Sequence, residues 1–452
     1  MNRRRIVPVP DLALVAGTAL LMLVAPVIAA QAQVPHDSVA RELARLRRQV
    51  DSLRRVAERH DERLMELDER GVAGARVPGT GAPADTGRRT LPSAQGIYGK
   101  PFVRRGGGAA IGGYFDTEYI NNIDRRTSEF DQHRLIPFIF AEITDRLHFG
   151  TEIEFEHGGN VDEGGEVKVE FATFDYAISD ALNIRGGIIL APLGRFNLVH
   201  DSPVNDLTDR PLVTREILPT TLSEAGLGIF GTVYPSAQTL LSYELYVVNG
   251  FDDEILAPGG GGGGVRVRSG RGQLGGDNND AKSLVGRLAF SPFLGLELAA
   301  SAHTGRYAPQ GVAGFDGDER LTILAADATF QRGALELLGE YGRVAVDLPP
   351  GTVGVADSQD GYYVQGNYHF GYGLLPPSTS SVFTGVVRWD QVDFARGDDG
   401  DLNQRLTVGL NWRPVEEAVF KTGFQWNWAT PPGTTSRGDA DRRFLASMAT
   451  YF

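Results

Sequence analysis

One segment of the chain, residues 191–216, carries charged side chains at a spacing that could bind or steer ions. Guanidinium groups hold anions through forked N–H donors, and rings of carboxylates favour cations. The same groups could instead form ion pairs, with Glu216 as a further acidic partner, and so fix the segment to itself or to the wall. The sequence leaves both interpretations open for Arg195, His200, Asp201, Asp206, Asp209, Arg210 and Arg215.

The same segment is too apolar to be an ordinary solvated loop. Leu198, Val204, Leu207 and Leu212 alternate with its charged residues. Connections normally run over the surface and are polar, so an apolar connection of this length needs cover. We therefore expect it to fold inward against the elements that flank it, and to narrow whatever space they enclose.

Those flanking elements are predicted to be β-strands. Residues 147–157, 403–413 and 418–428 alternate apolar and polar side chains, the pattern of a strand with two different faces. About sixteen such segments follow residue 97, each near the 9 to 11 residues that a tilted strand needs to cross a bilayer. Short connections at 144–146, 179–181, 235–238, 291–293 and 331–333 alternate with longer ones. This predicts an all-β fold, a closed antiparallel transmembrane barrel with turns at one end and loops at the other.

A barrel of sixteen strands leaves a water-filled lumen, whereas eight strands would be filled by side chains. Alternation places acidic and basic residues together on the inner face, with a small excess of acid. Such a mixed wall does not by itself support anion specificity. The predicted wall residues are Arg185, Arg287, Arg388, Arg405, Lys421, Glu152 and Glu154.

The remaining sequence divides into three parts. Residues 1–32 combine a basic start, an apolar run and an Ala-x-Ala site, which predicts a cleaved signal peptide, with an uncleaved membrane anchor as the alternative. Residues 37–70 carry a heptad of Leu, Val and Ala, which predicts an α-helical coiled coil in the periplasm. Residues 71–96 are rich in Gly and Pro and are interpreted as a flexible linker before the barrel of residues 97–452.

Composition excludes several functions. The net charge is −13, which disfavours nucleic acid, because affinity for nucleic acid comes mainly from neutralising phosphates. The chain has no cysteine, which excludes thiol catalysis and cysteine-bound metals. Acidic loop runs at 277–280, 316–319 and 398–401 lack EF-hand spacing and are interpreted as solvated. Since no G-x-S-x-G motif occurs either, we expect no enzyme, no cofactor and no metal site.

The chain resembles the phosphate-selective porin O and P family, and general trimeric porins more loosely. The likeness rests on the predicted architecture, on the terminal Phe452 and on two stretches, Arg195-Phe196-Asn197 and residues 205–211. It implies arginines at a constriction that select anions, and Arg195, Arg210 and Arg215 occupy the matching loop. Only four lysines occur, however, so the basic funnel of that family is not visible.

Together these observations predict a bacterial outer-membrane porin, embedded in lipid, for passive diffusion of small hydrophilic solutes or ions, with phosphate as one candidate. The heptad and the resemblance together suggest a homotrimer. The alternative is a structural anchor whose coiled coil contacts the cell wall.

Overall fold

A computed structural model of the protein describes residues 104–106, 109–159, 164–257, 263–312, 314–375 and 381–452. These residues form seventeen strands, one short α-helix, α1 (Leu212–Glu216), and two 3₁₀-helices, His157–Gly159 and Asp253–Leu256. The strands are β1 (Arg104–Gly106), β2 (Ala109–Asn122), β3 (Thr127–Glu142), β4 (Leu147–Glu156), β5 (Glu166–Ser179), β6 (Leu182–Leu190), β7 (Ser223–Val233), β8 (Leu240–Val248), β9 (Ser283–Phe293), β10 (Leu296–Arg306), β11 (Arg320–Arg332), β12 (Leu335–Val346), β13 (Ser358–Phe370), β14 (Val382–Asp393), β15 (Leu402–Val415), β16 (Ala418–Thr430) and β17 (Asp441–Tyr451).

Strands β2 to β17 form a closed antiparallel ring, because each pairs with its neighbours in sequence and β17 pairs with β2. The closing seam runs from Tyr451 opposite Tyr114 to Arg443 opposite Asn122. Phe452 extends it, since its backbone N–H donates to the carbonyl of Gly113 at 3.0 Å. The ring leaves no free edge, and it confirms the predicted barrel of sixteen strands. The three-residue β1 is additional and pairs with the start of β2.

Side chains alternate between an apolar outer face and a polar inner face, the reverse of a soluble sandwich. On β9, Leu284 and Leu288 are 50% and 53% exposed on the outside, while Arg287 between them is buried inside. On β17, Phe444 and Met448 face outward, whereas Ser447 faces inward. An apolar exterior of this kind is stable only in contact with lipid.

Aromatic side chains form an outward-facing row across four adjacent strands at the end of the barrel that holds Phe452, called here the near end. Phe370, Phe383, Trp412 and Phe420 stack in sequence, with ring centroids 5.8, 6.5 and 5.5 Å apart. Aromatic rings concentrate where a membrane meets water. The row therefore marks the boundary of the apolar band at the near end.

The connections depart from the predicted strict alternation of short and long. At the opposite or far end, the first connection is only residues 123–126, because a bonded turn between β2 and β3 suffices there. At the near end, the connection between β13 and β14 runs over residues 371–381 and is not a tight turn. The third far-end connection runs over residues 191–222, and the fourth, over residues 249–282, is slightly longer.

The predicted signal peptide, coiled coil and linker fall on residues 1–96, which lie outside the described residues. Within the described part, no helix has the length and apolar character needed to cross a membrane.

Candidate lumenal site

The third far-end connection, residues 191–222, lies inside the barrel and is called here the inner loop. Its two ends are tied by Asn197, whose Nδ2 donates to the carbonyls of Ala191 at 2.7 Å and Leu222 at 3.1 Å. The Asn197 Oδ1 accepts from the Leu222 N–H at 2.8 Å. One side-chain amide therefore bonds to both ends of the inner loop, Ala191 and Leu222, which are called here the loop neck. The short polar side chain at this position thus holds the loop as a closed unit.

The first turn of the inner loop requires glycine. Gly194 has φ +73°, and its N–H donates to Ser301 Oγ on β10 at 2.8 Å. A Cβ at this position would lie 1.8 Å from a carboxylate oxygen of Glu340 on β12. Only a residue without a side chain therefore lets the backbone turn this close to the wall.

One side of the inner loop is packed as a dry core against the wall. Leu193, Leu198 and Ile217 are at most 6% exposed and belong to the same cluster as Ile323 on β11 and Val344 on β12. Helix α1 contributes Val213, which is fully buried. The apolar residues that made the segment unlike a solvated loop are covered within the barrel, as we expected.

The other side of the inner loop receives hydrogen bonds from basic residues on three consecutive strands, β14 to β16. Arg388 donates to the carbonyl of Asp209 at 2.9 Å, and Lys421 donates to that of Ser202 at 2.7 Å. Arg405 donates to the carbonyl of Arg210, and Arg413 to that of Pro203. Arg388, Arg405, Arg413 and Lys421 are called here the basic staple.

Three loop carboxylates also contact the wall. Asp209 contacts Arg405 at 3.3 Å and accepts from Gln425 at 2.9 Å. Burial by itself would raise the pKa of Asp209, but Arg405 and the hydrogen bond from Gln425 outweigh it and hold that pKa below its usual value. Asp206 accepts from Asn367 and Asn411, and Asp201 accepts from the Tyr451 hydroxyl at 2.9 Å.

His200 lies at the opposite side of the loop, fully buried against β5. Its Nε2 is 3.1 Å from a carboxylate oxygen of Glu170, and its Nδ1 lies 3.0 Å from the carbonyl of Asn197. Both ring nitrogens are thereby engaged with protein groups. The imidazole therefore connects Asn197 of the inner loop to Glu170 on the wall.

Three arginines converge on the last turn of the inner loop. Arg210 donates to the carbonyl of Thr220 at 3.1 Å, and Arg268 donates to the same oxygen. Arg271 donates to the carbonyl of Thr221 at 2.7 Å. Burial, followed by repulsion from Arg134, lowers the pKa of Arg210 to about 10, while burial and the nearby Arg271 lower the pKa of Arg268 to about 10. The cluster is therefore strongly electropositive.

Arg268 and Arg271 were missed by the sequence interpretation. They lie in the fourth far-end connection, after a glycine run at 259–264 that has no strand or helix pattern. The signal that could have found them is the series Arg266, Arg268 and Arg271 directly after the glycines. Of the other loop arginines, Arg215 is exposed and Arg195 is half-buried.

The remaining predicted wall residues pair across strands. Arg185 forms a bidentate contact with Asp175 at 2.7 and 2.6 Å, and Arg287 contacts Asp327 at 2.8 Å. Glu154 lies between Arg134 at 2.8 Å and Lys168 at 2.5 Å. Glu152, on the same strand, is fully buried. Fixed opposite charges thus line much of the wall in pairs.

A solvent-connected pocket with an empty volume of about 510 Å³ remains beside the inner loop. Its lining comes from both the loop and the wall, and is predominantly charged or polar. Arg195, His200, Asp206, Asp209 and Arg210 contribute from the loop, and His133, Arg134, Arg388 and Lys421 from the wall.

Comparison with known proteins supports the barrel and leaves the family open. No family model matches the chain. An uncharacterized protein of Aquifex aeolicus (strain VF5) is 42% identical over 168 residues, which is 36% of each chain, so the match spans about a third of that relative's length. The narrower resemblance to phosphate-selective porins is therefore not confirmed.

Two solved structures share the architecture. The outer membrane channel DcaP of Acinetobacter baumannii aligns with a TM-score of 0.50 and 13% identity, over 76% of this chain and 98% of that one. An anion-selective porin from Comamonas acidovorans aligns with a TM-score of 0.50 and 11% identity, over 76% and 99%. At such low identity the likeness concerns the fold alone, which is that of outer-membrane porins.

Proposed function

We propose that the protein is a passive diffusion channel of the bacterial outer membrane, in which the inner loop sets the bore. The observation that carries the proposal is a closed ring of sixteen strands, apolar outside and charged inside, around a solvent-connected pocket. Water and small hydrophilic solutes would pass through the polar space beside the inner loop. No cofactor and no catalytic step are part of this function.

We further propose a preference for anions, with inorganic phosphate as one candidate. The four residues of the basic staple donate to loop carbonyls, and the wall carboxylate Glu154 is paired with basic residues. Arg210 differs, because its Nε and Nη2 atoms are buried without a hydrogen-bond partner among the described residues. Donors of this kind favour a passing anion over a cation.

The test is ion selectivity in planar lipid bilayers with the purified full-length protein. Reversal potentials are measured in asymmetric KCl and then in potassium phosphate, for the wild type and for Arg210→Ala and Arg271→Ala. We expect anion preference in the wild type and a shift toward cations in both variants. Arg185→Ala is the matched control, because that arginine is paired with Asp175 on the wall.

Two results would contradict the proposal at different levels. A folded, purified protein that gives no conductance would reject the channel itself. A channel whose ion preference is unchanged in Arg210→Ala and Arg271→Ala would keep the function but remove these arginines from the permeation path. The trimer rests on the heptad of residues 37–70 together with the porin resemblance, and the cell-wall tether rests on the same heptad. Residues 37–70 lie outside the described residues, so both stay predictions from sequence.

A further inference from the structure

A β-bulge between β2 and β3 turns an imidazole toward the lumen. The strand register shifts between Asp116, which pairs with Arg134, and Glu118, which pairs with Asp131. The extra residues opposite Thr117 are Gln132 and His133. Strict alternation would place His133 on the outer face, because its neighbour Arg134 is buried inside. A bulge re-aims one side chain in this way, and such bulges are frequent next to functional sites.

The re-aimed ring meets two carboxylates from the facing strand. His133 Nδ1 lies 2.9 Å from Asp116 Oδ2 and 2.8 Å from Glu118 Oε1. Donor atoms of these three residues all lie within 4.8 Å of one another. Asp116 and Glu118 are two positions apart on one strand, so they share its inner face.

One ligand atom of this cluster is left without a partner. Asp116 is 1% exposed, and its Oδ1 atom makes no hydrogen bond of normal geometry with any described residue, although the Ser202 hydroxyl lies close to the carboxylate. A buried carboxylate oxygen normally accepts at least one hydrogen bond, so an orphan calls for an explanation. A cation held by both oxygens of the Asp116 carboxylate, together with Glu118 and His133, would supply the missing interaction.

We propose that Asp116, Glu118 and His133 form a binding site for a divalent transition-metal cation, with Zn²⁺ as the best fit. Two carboxylates balance the charge of a dication, and one imidazole nitrogen selects a borderline metal over Ca²⁺, which takes six to eight oxygen ligands. Tetrahedral zinc ligands lie about 3.4 Å apart, so the imidazole nitrogen needs to move away from each carboxylate oxygen by only about half an ångström.

The fourth coordination position would face the lumen. His133 is 19% exposed and lines the lumenal pocket, so a water molecule or a solute can reach a metal held there. A three-ligand zinc site with one open position is the usual form of an exchangeable site. Lys421 donates to the carbonyl of Ser202, and its ammonium also interacts electrostatically with the Asp116 and Glu118 carboxylates, so a bound metal shares these carboxylates with it.

The proposal is tested by titrating ZnCl₂ into the purified full-length protein in detergent by calorimetry, with Co²⁺ absorption as a spectroscopic readout. We expect saturable binding of one ion in the wild type. Asp116→Asn, Glu118→Gln and His133→Asn should each weaken it by at least about tenfold. The two amide variants keep the shape of the carboxylates, and circular dichroism confirms that each variant is folded.

His369→Asn is the matched control, because that lumenal histidine is also 19% exposed and its Nε2 lies 3.7 Å from Glu336. The affinity of His369→Asn for Zn²⁺ should equal that of the wild type. Absence of saturable Zn²⁺ or Co²⁺ binding to the wild type would overturn the site. Unchanged affinity in all three cluster variants would do the same, since the metal would then be bound elsewhere. Neither outcome depends on conductance, so the result is separate from the channel proposal.

Discussion

Arg405 is the central contact of the basic staple, and its removal is expected to loosen the inner loop. The side chain is 2% exposed and contacts Asp209 at 3.3 Å, the carbonyl of Arg210, and Asp390 at 3.3 Å. Two of these three partners belong to the loop. In Arg405→Ala, Asp390 keeps a second arginine, because Arg388 lies 3.0 Å from it. Arg405→Ala should therefore mainly weaken the attachment of the inner loop to the wall.

The expected loss of free energy in Arg405→Ala follows from the burial of the ion pairs that Arg405 forms. Breaking a buried ion pair by removing one partner costs about 3 to 5 kcal/mol. If the loop carries the larger share, about 2 to 3 kcal/mol, the ratio of attached to detached loop falls by roughly 30- to 140-fold. Arg405→Lys should be intermediate, because an ammonium cannot reproduce the forked geometry of a guanidinium.

The measurement is single-channel conductance in planar bilayers, where Arg405→Ala should show larger and noisier openings than the wild type. Arg287→Ala is the matched control, since its partners Asp327 and Glu297 both lie on the wall. It removes a comparable buried charge and should leave the mean conductance unchanged. The reasoning fails if folded Arg405→Ala conducts like the wild type, or if Arg287→Ala opens the channel equally.

Three further predictions test other parts of the structure. Because the pKa of Asp209 is lowered, its contribution to holding the inner loop is complete at neutral pH and is lost as the pH falls through that lowered value. Conductance should therefore stay constant from pH 7 to about pH 5 and rise reversibly below about pH 4. Asp209→Asn should show this raised conductance already at pH 7. Gly194→Ala should displace the first turn of the inner loop, since the new Cβ would meet Glu340 and the backbone has a positive φ there. The expected result is an altered conductance with an unchanged circular dichroism spectrum of the barrel. A normal conductance would argue against the tight turn. Leu288→Arg should destabilise the folded barrel in lipid by about 2 to 4 kcal/mol, measured by denaturant titration, whereas Leu288→Phe should have little effect, and equal stability of both would contradict the lipid-facing assignment.

Local pattern was sufficient to predict the wall. The alternation around Leu288 and Arg287 assigns each to its face, because the side-chain period of a strand is fixed at two. The apolar residues of the inner loop were likewise enough to predict that it needs cover. Both inferences use only the immediate neighbours of a residue, which is the information that a single sequence contains.

Partners across the lumen could not be predicted in this way. Lys421 and Ser202 are 219 residues apart in sequence, and nothing local states that one donates to the other. The fold of the fourth far-end connection onto the inner loop was hidden for the same reason. The position of His133 was hidden for a different reason, because the bulge breaks the period of two that assigns a strand residue to one face.

The inner face of the barrel itself explains why the loop must lie inside. Ile323 on β11 and Val344 on β12 face the lumen and are fully buried, yet water would surround both if the barrel were an open cylinder. Exposing such side chains costs about 25 cal/mol per Å² of apolar surface, so the wall and the loop stabilise each other. On the strands of the basic staple the wall is charged instead, and there the loop is held by hydrogen bonds. We infer that the dry side fixes the position of the loop, and that the polar side leaves a wet route beside Arg388 and Lys421. A substitution that makes the dry side polar, such as Val344→Asn, should therefore widen the route by releasing the loop rather than by enlarging the barrel.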